Sequence, residues 1–395
     1  MEFAACLAVG FIAYVYLVFP ALIYLRGLVI SRPWKVGDQC PRVSVVVVCF
    51  NEAGGIQSKL DNLFECDYPH DQIEVIVASD GSTDETEQIV DGYPDARVRL
   101  LAFPRRGKIP ALNDAVESAN GELIVFTDAN SVLSSNALKN LTRHFADPTI
   151  GCVAGNQVYV KDTHGGTMAE GEQSYWNFDR SLKVFQSRSG NAISATGALY
   201  AIRAVLFKKV PSGVTDDFTI STNVIREGFR LVYDNDAIAK ERVAGKSKTE
   251  FNRKIRIITR GLRAVLLARD LCNPFRYGFY SIQLFSHKVM RRIAIIPCLA
   301  LLAISPWLFY ESDFFRIVAI ASWGAVIMLV FAFLLSGTGL GKWKPLRLIL
   351  FFGMINCAAL VAIFNILTGK RIEKWNPTGM EVPVDSSGLN WVKSK

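Results

Sequence analysis

Residues 43–52 read VSVVVVCFNE, residues 73–84 read IEVIVASDGSTD, and residues 123–130 read LIVFTDAN. In each stretch a short, mostly β-branched apolar run stops at a cluster of carboxylates, amides and hydroxyls. Runs this apolar, without alternation, suit strands buried on both faces of a parallel sheet. Helical patterns lie between them, at 56–64, 83–90 and 111–119. Strands alternating with helices predict βαβ units and an open, mostly parallel α/β sheet, here over residues 41–245.

In such a sheet, ligands bind outside the carboxyl ends of the strands, so the three polar clusters belong on one edge. Asp80, followed by Gly81, can accept from a ribose or a base where the backbone turns tightly. Thr83 or Asp84 can equally cap the next helix. Asp128, with an amide oxygen two positions on at Asn130, suits a hard cation such as Mg2+ or Mn2+ bridging a diphosphate.

Fifty per cent of the 395 residues are apolar before the 29 glycines are counted, and only 20% are charged. An average soluble domain has about 45–50% apolar with glycine included and about 25% charged. This excludes a disordered, collagen-like or disulfide-scaffold chain and argues against a purely soluble enzyme. The eight cysteines form no CxxC or Cys/His cluster, which favours reduced, buried thiols over zinc.

The apolar run 3–30 is interrupted only by Pro20 and Arg26 and can span a bilayer of ~30 Å. Glu2 precedes it, and Arg32 and Lys35 follow it. It therefore reads as an anchor over 1–32 rather than a cleaved signal, with residue 31 onward in the cytoplasm. Phe251, Ile255, Ile258, Leu262 and Leu266 recur at helical spacing among Arg253, Lys254, Arg256, Arg260 and Arg263. This basic amphipathic pattern opens an interfacial region, 246–292, suited to the headgroup plane.

Apolar runs at 293–310, 314–335 and 346–367 form a C-terminal membrane region, 293–368. The first two pair as a hairpin across the acidic link 311–313. The third precedes Lys370, Arg371 and Lys374. Spanning would put these charges outside, against the charge rule, while a re-entrant or interfacial segment would leave the tail 369–395 in the cytoplasm, the preferred reading. The net charge of +8 gathers beside these apolar runs, which favours a membrane surface over nucleic acid. Paired repeats of membrane segments, as in a bilobed transporter, are absent.

CFNE, SDGSTD, RRGKIPALN and FTDAN, in this order over about 90 residues, resemble the nucleotide-sugar half of family 2 glycosyltransferases. The whole chain is similar to the membrane-embedded branch, which includes cellulose-, chitin-, hyaluronan- and poly-N-acetylglucosamine-synthase-like enzymes. The resemblance implies a GT-A fold and an inner- or plasma-membrane protein with its catalytic domain in the cytoplasm. It implies a hexosyl- or N-acetylhexosaminyl-transferase, dependent on Mg2+ or Mn2+. A nucleotide-diphosphate sugar, UDP-linked by this reading, would donate to a glycan or lipid-linked acceptor in cell-surface polysaccharide synthesis. Membrane lipids, and further exopolysaccharide-assembly proteins, are the other implied partners; nucleic acid is not.

Carried over by matching motifs, Asn51, Glu52 and Asp80 would hold the nucleoside. Lys108 would approach base or phosphate. Asp128 would bind nucleotide and metal, with Asn130 beside it where the family often has Asp. The small-residue loop at 194–198, including Ala195, Thr196 and Gly197, matches the acceptor loop; tight packing is its other reading. Asp216-Asp217 matches the catalytic carboxylate pair, with Asp217 as the base; a helix cap is its other reading.

Arg256 matches the arginine of the family's Gln-x-x-Arg-Trp motif and would contact the diphosphate. Arg253 and Ile257 replace its Gln and Trp, which leans away from processive synthesis with translocation and towards single addition. The segment 374–378, KWNPT, resembles a C-terminal element of the same branch. Tyr175, Trp176 and Trp391 can stack on sugars or simply pack. A non-catalytic nucleotide-sugar-binding membrane subunit is the alternative of a different class.

Overall fold

The computed structural model describes residues 1–160, 169–242, 247–370 and 372. The 374–378 element, Trp391 and the side chain of Tyr175 lie outside the described residues. The strands are β1 (Val43–Cys49), β2 (Ile73–Asp80), β3 (Val98–Phe103), β4 (Leu123–Phe126), β5 (Val132–Leu133), β6 (Ile150–Val160), β7 (Tyr200–Arg203) and β8 (Arg230–Arg242). The principal helices begin with α1 (Glu2–Val29), α2 (Ile56–Phe64), α3 (Thr86–Asp91), α4 (Lys108–Glu117), α5 (Ala137–Thr142) and α6 (Ala169–Ser189). They continue with α7 (Asp216–Arg226), α8 (Ser247–Leu267), α9 (Phe279–Ile293), α10 (Ile295–Leu308), α11 (Asp313–Leu335) and α12 (Lys344–Leu367).

The described residues form two compact units. The sheet unit comprises 32–160 and 190–242; the helical unit comprises 1–31, 169–189 and 247–370. Within the span 41–245, α6 groups with the helical unit. Leu182 of α6 packs with Phe19 and Ile23 of α1, and the Phe185 and Tyr24 rings lie 4.3 Å apart.

In the sheet unit the strand order is β3-β2-β1-β4-β7-β6-β8-β5. Strands β3, β2, β1 and β4 run parallel. Strand β7 is antiparallel to β4 and β6, and β8 is parallel to β6. Val43 faces both Ile73 and Leu123 in register, so the carboxyl ends of β1, β2 and β4 emerge along one edge. Every residue of β1, β2 and β4 is buried, and Ile56, Leu60 and Leu63 of α2 join the same core as Leu138 and Leu141 of α5. Each such side chain contributes about 1.5–3 kcal/mol on burial.

The segment before β1 is pinned to this unit by a buried relay. Trp34 Nε1 donates to His144 Nδ1 at 2.7 Å, and His144 Nε2 lies 2.6 Å from Asp234 Oδ2. The first bond assigns the histidine proton to Nε2, which donates to the carboxylate. Arg143 adds a bond to Asp234 at 2.7 Å. Burial works against the Asp234 charge, yet His144, the Asp236 N–H and Arg143 outweigh it and hold its carboxyl below the usual range.

In the helical unit, α1, α11 and α12 are each long and apolar enough to cross a membrane, and α9 with α10 form a bent pair at 46°. Helix α12 is a continuous helix of 24 residues, and the bent break falls between α9 and α10. The apolar face of α8 is covered, with Ile258 and Leu262 packed on Ala358, Ala359 and Ala362 of α12; small residues let such helices approach closely. Tyr14 and Ser286, each on a π-helical stretch, share a hydrogen bond of 2.8 Å.

Breaking a buried charge network by removing one member costs about 3–5 kcal/mol. Asp234→Ala is therefore expected to lower the unfolding midpoint of the sheet unit clearly in denaturant titration, whereas Asp236→Ala, on an exposed neighbour, leaves it near wild type.

Candidate active site

The loops after β1 and β2 are laced together. Asn51 adopts a left-handed φ of 54°, which asparagine tolerates better than most residues. Its Oδ1 accepts from the Thr83 N–H at 2.7 Å. The Glu52 N–H donates to Thr86 Oγ1 at 2.8 Å, and the Ala53 N–H donates to Asp84 Oδ2 at 3.1 Å. Asp84 also accepts from the Thr86 N–H at 3.1 Å, so it ties the start of α3 to the β1 loop. Burial first, then the Asp128 and Asp84 carboxylates, push the Glu52 carboxyl up to about 7.

The Asp80 carboxylate is fully buried and organises the turn that follows β3. It accepts from the Arg106 N–H at 2.7 Å, from the Gly107 N–H at 2.8 Å and from the Arg105 guanidinium. Gly81 has φ 72°, and a Cβ there would stand 2.6 Å from the Arg105 nitrogen. The Arg105 guanidinium lies over the Phe50 ring. Asp80 thus faces the 105–107 turn, and that turn delivers Lys108 at the first position of α4.

Lys108 Nζ lies 3.0 Å from Asp128 Oδ1, just beyond β4, and 3.1 Å from Asp216 Oδ2, at the start of α7. Burial works against its ammonium, but Asp128 and Asp216 outweigh it and raise its pKa above the usual lysine value. One cation therefore joins the residue expected on the donor side to the residue expected on the acceptor side. Asp217, next along, accepts from the Phe218 N–H at 2.7 Å.

The small-residue loop closes the other side. The Ala195 N–H donates to Ser221 Oγ of α7 at 3.0 Å. A Cβ on Gly197 would meet Asp128 Oδ2 at 3.1 Å, so only glycine fits there without pressing on that carboxylate. The buried hydroxyls of Thr196, Tyr200 and Thr215 have no hydrogen-bond partner among the described residues. Burial, then Asp216 and Asp217, push the Tyr200 phenol well above its ordinary value.

Sequence reasoning missed the supports beneath this edge. Lys59 and Asn62 of α2, three residues apart, are both buried and bond to the chain at 127–133. Their signal was present, since both interrupt the apolar Ile56, Leu60, Leu63 face. Asn130 Nδ2 donates to Glu241 of β8 at 3.0 Å, a tie no motif marked. Arg256 belongs to the helical unit, where burial, then Arg260 and Arg253, push its guanidinium down to about 10.

Among the described residues, no group of three His, Cys, Asp or Glu forms a metal cage. The donors at hand, the Asp128 carboxylate and the Asn130 amide oxygen, fit Mg2+ or Mn2+ of the kind held by one or two carboxylates plus substrate phosphates.

A family model described as glycosyltransferase-like family 2 matches residues 41–262. An N-acetylglucosaminyltransferase of Rhizobium sp. (strain N33) is 26% identical over 293 residues, covering 68% of this chain and 65% of that protein. A poly-beta-1,6-N-acetyl-D-glucosamine synthase of Staphylococcus aureus (strain MSSA476) is 25% identical over 205 residues, covering 50% of this chain and 49% of that one. The chain thus spans about half to two thirds of the length of these relatives. Among solved structures, the mannosyltransferase PcManGT from Pyrobaculum calidifontis, in complex with GDP-Man and Mn2+, superposes with a TM-score of 0.70. It is 26% identical, with 93% of this chain and 100% of that chain covered.

A carboxyl raised to about 7 in the fold, against 4.5 ordinarily, binds more protons folded than unfolded between those values. Its stabilising contribution is complete below about 4.5 and is lost as pH rises through about 7. Between these limits the unfolding midpoint of the wild type is expected to fall with pH more steeply than that of Glu52→Gln.

Proposed function

The chain belongs to glycosyltransferase-like family 2, and on that premise we propose an inverting, membrane-bound enzyme of cell-surface polysaccharide synthesis. It transfers a single sugar from a UDP-linked hexose or N-acetylhexosamine to a hydroxyl of a glycan or lipid-linked acceptor, at the cytoplasmic face. The observation that carries this reading is Lys108 between Asp128 and Asp216. That pairing supports a donor diphosphate and an acceptor hydroxyl held side by side on one sheet edge.

In this reading Asn51 and Glu52 line the nucleoside side, while Asp80 holds the turn that aims Lys108. Asp128, with Asn130 beside it, would hold Mg2+ or Mn2+, which when bound neutralises charge on the diphosphate. Asp217 takes the proton of the acceptor hydroxyl as its oxygen bonds to the anomeric carbon. The bond from that carbon to the diphosphate oxygen breaks, and the electron pair leaves with the nucleoside diphosphate. Lys108 stands ready for the charge that develops there.

The test is nucleoside diphosphate release by full-length protein in lipid nanodiscs with Mn2+ or Mg2+, over a panel of UDP- and GDP-sugars with glycan and lipid acceptors. Release from one UDP-sugar is expected, with a product one sugar longer than the acceptor. Asp217→Asn is expected to lower kcat by about 10²- to 10⁴-fold with little change in donor KM. Release from no donor overturns the proposal, and a ladder of many sugars overturns single addition.

A further inference from the structure

Lys59 lies in the middle of α2 with its side chain out of solvent. No carboxylate stands within ion-pair distance of it among the described residues. Its three N–H groups meet three oxygens: Thr127 Oγ1 at 2.8 Å, the Ser131 carbonyl at 2.7 Å and Ser131 Oγ at 3.1 Å. This matches the full donor capacity of an ammonium.

The two hydroxyls pass their own protons on. Thr127 Oγ1 donates to the Ala198 carbonyl at 2.8 Å, and Ser131 Oγ donates to the Asp128 carbonyl at 2.8 Å. One buried cation thus anchors two backbone carbonyls through two hydroxyls. The first carbonyl belongs to the small-residue loop; the second is the backbone carbonyl of Asp128, whose side-chain carboxylate faces Lys108. Gly197, between them, already stands at the limit of close approach to Asp128.

We infer that Lys59 is a positioning residue for the metal site: through Thr127 and Ser131 it fixes the Asp128 turn against the 195–198 loop. The inference rests on the proposed donor chemistry at Asp128. Packing alone is a poor account of this side chain. Burial pushes its ammonium down to about 7, and an apolar side chain of similar volume would fill the same space without that cost.

Removing a group that orients a metal ligand typically weakens metal binding by about 10- to 100-fold. Mn2+ affinity of the full-length protein in nanodiscs with UDP, read by electron paramagnetic resonance, is expected to fall by about that factor in Lys59→Met. Lys59→Gln, which keeps donors, is expected to recover part of it. The KM for nucleotide sugar at saturating Mn2+ is expected to stay near wild type, a split that general loosening would not give.

Should Lys59→Met fail to fold, Thr127→Val and Ser131→Ala each leave the lysine in place and remove one of its relays, and each is expected to weaken Mn2+ binding several-fold. A folded Lys59→Met with wild-type Mn2+ affinity overturns the inference, as does wild-type affinity in both relay variants when Lys59→Met does not fold. Absence of Mn2+ binding in the wild type overturns the metal reading of Asp128 itself, and this inference with it.

Discussion

Like charges converge on one edge of this sheet, and the rest of the site follows from how they are kept there. Glu52, Asp80 and Asp84, Asp128, and Asp216 come from four separate connections, at strand ends or helix starts. Lys108 stands 3.0 and 3.1 Å from Asp128 and Asp216. At these separations and an effective dielectric near 20, each attraction is worth about 5 kcal/mol before desolvation. The upward shift of the Lys108 ammonium shows the carboxylates outweighing that desolvation. Where no cation intervenes, as at Glu52, the balance reverses and the carboxyl pKa rises.

Two lysines serve this edge. On the solvent side the 105–108 turn, folded around the buried Asp80 carboxylate, presents Lys108. On the core side Lys59 reaches the same Asp128 turn from beneath. Helix α7 closes the arrangement, because it carries Asp216 and Asp217 at its start and Ser221, which receives the Ala195 N–H, one turn later. The 105–108 turn, the 194–198 loop and the start of α7 are thereby linked by hydrogen bonds and ion pairs within a single unit.

The half of the fold that carries the motifs was legible because β1, β2 and β4 are buried on both faces and need unbroken apolar runs. Strands β6, β7 and β8 were less so, since their pairing is antiparallel or mixed and is set by distant partners. The same holds for side chains. Asp80, Asp128 and Asp217 could be marked from strand ends and motif order, but the turn that Asp80 organises is a contact across 25 residues or more. Lys59, Asn62 and the Trp34–His144–Asp234 relay depend on tertiary neighbours that no local pattern names. Helix α6 lies within the sequence of the sheet domain, yet Leu182 and Phe185 pack on α1. Its placement follows from the residues it meets, not from its position along the chain.

The proposed reaction is a single displacement between a donor held beside Asp128 and an acceptor hydroxyl deprotonated by Asp217. Product stereochemistry tests it most directly, by proton nuclear magnetic resonance of the glycosidic linkage formed from an α-linked nucleotide sugar. A β linkage is expected. An α linkage would require a second displacement or a front-face route, and would contradict the role assigned to Asp217.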